Sequence, residues 1–114
     1  MSKTIRELIT EKSELLRNVD ALGPHVAAQE LVFLSSLLSS LNAETAERQF
    51  ILNQKRVELL GEAKSVAKAR LLAEASDEWR EWYARVMQRD ALEQIIRSVK
   101  YYLRQSETEQ REFN

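Results

Sequence analysis

Two glycines and one proline are the only strong chain-breakers in 114 residues. A sheet protein of this length needs several turns, and turns draw on Gly, Pro, Asn and Asp for conformations other residues resist. Leu, Glu and Ala, which favour helices, supply 16, 15 and 12 residues. The expectation is an all-α protein with a single helical domain over residues 1–114, since this length suits one core better than two.

Apolar periodicity divides the chain. Thr4 and Glu7 form a T-x-x-E capping box. From there Ile5, Leu8, Ile9, Leu15, Leu16, Val19 and Leu22 recur at helical steps, giving a first helix over about 4–22 that ends at Gly23-Pro24. Residues 25–41 are the most apolar stretch, with Ala27, Leu31, Leu34, Leu38 and Leu41 in a 4-3-4-3 stripe. At about 16 residues this second helix is too short to span a membrane. Asn42 is read as the cap of a third helix over about 43–75. Its cleanest heptad is Ala46, Phe50, Asn53, Val57, Leu60, Lys64, Ala67 and Leu71, and a second stripe holds Leu52, Leu59, Ala63, Val66 and Ala73. Gly61 marks a place where another helix crosses closely. Ser76 with Asp77 and Glu78 starts a fourth helix over 77–105, and 105–114 is read as a fraying tail. The third and fourth helices should form a long antiparallel hairpin, with the two shorter helices covering one side.

Chemistry is sparse. Cysteine is absent and His25 is the only histidine, so Cys-based metal sites, disulfides and thiol catalysis are excluded. Two isolated glycines cannot make a phosphate loop, and no nucleophile–base arrangement is legible. No enzyme activity, cofactor or metal is expected. Seventeen basic and 18 acidic residues leave a net charge of −1, so no global field draws the chain to nucleic acid or membrane. The charged start, Met1 to Glu7, lacks the apolar core of a signal peptide, and a cytoplasmic location is expected.

Three groups of residues stand out. Leu31, Leu34 and Leu38, with Asn53 and Lys64 as polar residues at heptad core positions, are candidates for an oligomer interface. Arg97, Lys100 and Arg104 share a helix face with Tyr101, which points either to a solvated face or to phosphate contacts. Trp79, Trp82 and Tyr83 crowd one turn, and Trp79 and Trp82 are read as a partner anchor or as a core plug. Arg89, beside Asp90, interrupts the apolar stripe of the fourth helix, either as an ion pair or as a grip on an anion.

The second half resembles small all-helical proteins encoded by bacteriophages and prophages. The likeness covers residues 45–112. It rests on Lys64-Ser65-Val66-Ala67-Lys68-Ala69-Arg70, on Ala73-Glu74-Ala75-Ser76-Asp77-Glu78-Trp79, on Tyr83, and on Leu92-Glu93-Gln94-Ile95-Ile96-Arg97-Ser98-Val99-Lys100-Tyr101-Tyr102-Leu103-Arg104. It implies a phage-like setting and brings no catalytic residues. The expected function is a homo-oligomeric, non-enzymatic binder of a host or phage protein, acting as an inhibitor or adaptor. The alternatives are a nucleic-acid-binding accessory protein and an oligomeric binder of a small phosphorylated ligand.

Overall fold

The computed structural model describes residues 3–113, with the side chains of 20 and 110–113 left aside. It is 92% helical, without a strand among the described residues. The helices are α1 (Ile5–Leu15), α2 (Val19–Leu22), α3 (Pro24–Glu62), α4 (Val66–Glu74) and α5 (Asp77–Phe113), with a 3-10 turn at Leu16–Asn18. The all-α expectation is met, and the long C-terminal helix is present. By its contacts the chain divides into two compact units, residues 1–39 with 88–114, and residues 40–87.

In the first unit, the Thr4 hydroxyl accepts a hydrogen bond from the Glu7 amide at 3.1 Å and starts α1. The first helix does not run unbroken to Leu22, because the 3-10 turn tightens the chain after Leu15. Ala27, Leu34, Leu92, Ile96 and Val99 are buried and form the core here. The Lys12 ammonium lies 2.8 Å from the Glu30 carboxylate and 4.8 Å from the centre of the Phe33 ring, which ties α1 to α3. On the outside of α1, the hydrogen-bonded Lys3 ammonium holds the Glu11 carboxyl below its ordinary range. A depressed carboxyl adds stability above its unfolded pKa and loses it as pH falls through the folded value. Both side chains are about half exposed, so salt screens the pair.

Two helix boundaries differ from the sequence expectation. Asn42 caps nothing, since it lies inside the 39-residue α3. An Asn inside a helix costs only ~0.7 kcal/mol or less against Ala, and neither Gly nor Pro stands near enough to stop the chain. Thr45 is buried and donates its hydroxyl to the Leu41 carbonyl at 2.7 Å, within the same helix. The length argument against a membrane span therefore falls. An 18-residue window of α3 reaches a mean hydropathy of 1.2 with 17% of it buried, which meets the span criterion by length and composition alone.

The expected helix over 43–75 breaks at Ala63–Ser65 instead. Ser65 adopts extended backbone (φ −146°, ψ 152°), and its hydroxyl accepts from the Lys68 amide at 3.1 Å, capping α4. Ser76 does the same for α5: its hydroxyl accepts from the Trp79 amide at 3.2 Å and donates to the Ala73 carbonyl at 2.6 Å. In the second unit Leu59 packs with Ala69 and Ala73, and Ala63 lies against them. Farther along, Arg85 of α5 reaches Glu44 of α3 at 2.7 Å. These two contacts fall at nearly constant summed residue number, as antiparallel helices require. The returning arm of the hairpin is thus α4 followed by the first turns of α5, and the turn sits at 63–65, not 75–77. The expected tail over 105–114 is helical to Phe113, because no Gly or Pro interrupts it.

A candidate helical interaction face

The second unit turns the expected heptad outward. Its buried α3 positions are Leu41, Thr45, Leu52 and Leu59. The stripe read from sequence as the core face instead leaves Phe50 63%, Val57 70% and Leu60 51% exposed. Across the turn, α4 leaves Val66 at 74% and Leu71 at 67%. More large apolar side chains lie outside this unit than inside it. The physical reason is the two-stripe pattern. Both stripes have helical spacing, and α4 can approach α3 closely only over small residues, which Ala63, Ala69 and Ala73 supply.

Between α3 and α4 runs a cleft of about 330 Å³. Its apolar lining is Leu60, Val66, Ala69 and Ala73, and charged groups edge it: Arg56 from α3, Arg70 and Glu74 from α4. Arg70 and Glu74 are paired loosely at 3.7 Å. Arg56 donates to the Asn53 side-chain oxygen at 3.2 Å. Gly61 meets no close helix, since a methyl built on it would find nothing within 4 Å.

The other candidates scatter. Leu34 is fully buried in the core of the first unit and so is not available to an oligomer interface, while Leu31 and Leu38 are half-buried. Asn53 is exposed beside the cleft, and Lys64 is exposed in the turn outside any helix, not at a helical heptad position. Trp79 stacks on Tyr83 with centroids 4.7 Å apart and planes 9° apart. Trp82 is tilted at 59° and 6.4 Å away, so the cluster splits as its spacing requires, and both tryptophans are half-buried. Arg89 lies 3.6 Å from Asp90. Arg97, Lys100, Tyr101 and Arg104 are exposed on one face of α5, and Glu93 lies 4.0 Å from Arg97. Glu93 and Glu107 continue that face at either end, so the basic stripe is short and bounded by acids.

His25 is exposed, its ring nitrogen 3.3 Å from the Gln29 amide nitrogen. Among the described residues, no three His, Cys, Asp or Glu side chains gather as a metal site. Among the described residues, the α3–α4 face joins an apolar cleft to charged groups of both signs. Comparison with protein-family models, curated proteins and solved structures returned no match.

Proposed function

We propose that this protein is a non-enzymatic helical interaction protein that works by stoichiometric binding through the α3–α4 face. The observation that carries the reading is the α3–α4 cleft, where exposed Leu60 and Val66 lie between charged edges, with exposed Leu71 adjoining it on α4. Leaving these side chains in water forfeits burial energy of ~25 cal/mol per Å², and exposed apolar surface rimmed by polar groups marks binding sites. We read it as an adaptor or inhibitor acting on a host or phage protein in a bacterial cytoplasm, the setting that the pattern of residues 45–112 suggests.

The test is capture from bacterial lysate by the wild-type protein and by a Leu60→Asp/Val66→Asp variant, with and without nuclease. Both substitutions sit on exposed positions, so the helical fold should survive, as circular dichroism would show. The expected result is a nuclease-resistant protein band of fixed stoichiometry, at least ~10-fold weaker with the variant, the equivalent of about 1.4 kcal/mol. Equal capture by both would remove the face from the account. Nuclease-sensitive capture lost on Arg97→Glu would favour the nucleic-acid reading instead.

A further inference from the structure

We infer that the α3–α4 face is covered by a second copy of the same chain, seated about a two-fold axis with Arg70 of each copy against Glu74 of the other. The inference rests on the reading of this face as the binding surface and names its occupant in the free protein; a foreign partner would bind there by displacing the second copy.

A two-fold interface uses one patch twice, so the patch must complement itself. This one does. It carries cations, Arg56 and Arg70, together with an anion, Glu74, around one apolar floor. Arg70 is 82% and Glu74 50% exposed, and their 3.7 Å contact within α4 is loose enough to be exchanged. Turning α4 antiparallel onto its own copy places each of them against the opposite charge. The remaining acids of this part of α3, Glu58 and Glu62, lie on the opposite flank of the helix by its 3.6-residue turn, away from the interface. A purely acidic foreign helix would satisfy the arginines but meet Glu74, whereas a second copy answers both signs. Between the charges, Leu60 and Val66 supply exposed apolar contact.

The test uses intermolecular charge swapping, read by sedimentation equilibrium. The wild type should show twice the 13.3 kDa chain mass. Arg70→Glu and Glu74→Arg, each alone, set like charges across the interface and should raise the dissociation constant at least ~10-fold. Mixed one to one, the two variants restore both cross-pairs, and a heterodimer should return. Each chain still holds its own like-charged pair within α4, so recovery on mixing cannot come from repair of the helix. Unchanged helicity by circular dichroism confirms that the single variants fold. A wild type that is monomeric throughout, or a mixture that stays apart while the wild type dimerises, would overturn the inference. In the first case, lysate capture that still needs Leu60 and Val66 would leave the face as a binding surface for another protein.

Discussion

Leu52→Ala should cost about 2–5 kcal/mol, the range for truncating a fully buried leucine whose site cannot collapse. Leu52 is wholly inaccessible, in line on α3 with Leu59, which closes against Ala69 and Ala73. Removing it leaves a cavity between helices that meet through few large side chains. A loss of this size lowers the unfolding midpoint by at least about 8 °C, at roughly 4 °C or more per kcal/mol. Val57→Ala, five residues on and 70% exposed, should cost under about 1 kcal/mol. Thermal unfolding measures both. Equal losses would mean that the wrong stripe has been placed inside.

The two glycines should respond to alanine with opposite signs. Gly23 ends α2 with φ 83° and ψ 158°, a conformation essentially reserved to glycine. Gly23→Ala should therefore destabilise by about 1–3 kcal/mol, although no neighbouring atom lies within 4 Å of the added methyl. The cost is backbone strain at the junction that lets α3 start on Pro24. Gly61 has ordinary helical backbone and the same open surroundings. There Gly61→Ala should stabilise by about 0.4–1 kcal/mol, because the unfolded chain loses freedom. Denaturant titration of both variants checks the pair. A stabilised Gly23→Ala would contradict the cap geometry.

These contrasts show what was legible in the residues alone. The helical class followed from the scarcity of Gly and Pro, and the caps at Thr4 and Ser76 were readable because each is a hydroxyl beside acids. Asn42 has the chemistry of a cap, but a capping residue acts as one only where the chain has already left the helix. Nothing before Asn42 ends one. The true break at Ala63–Ser65 had weaker signals, with Gly61 near the end of one helix and Ser65 opening the next without an acid in its first turn. Heptad spacing shows that a face is apolar and leaves open what covers it. Two stripes on α3 competed, and small residues on α4 decided between them. The basic stripe on α5 was visible in sequence, as were its bounding acids.

The most direct test is thiol labelling on α4, because the chain has no cysteine of its own. Ala67 belongs to the outward heptad and is exposed, while Ala69, two residues on, is 4% exposed against Leu59. Both substitutions to cysteine are small. At concentrations low enough to keep the chain monomeric, Ala67→Cys should label at nearly the unfolded rate. Ala69→Cys should label at least ~10-fold more slowly, since its thiol is reached only by local opening. At high concentration Ala67→Cys should also slow, as the second copy covers it. Faster labelling at position 69 than at 67 in the dilute protein would contradict the inward and outward assignment on which the binding face depends.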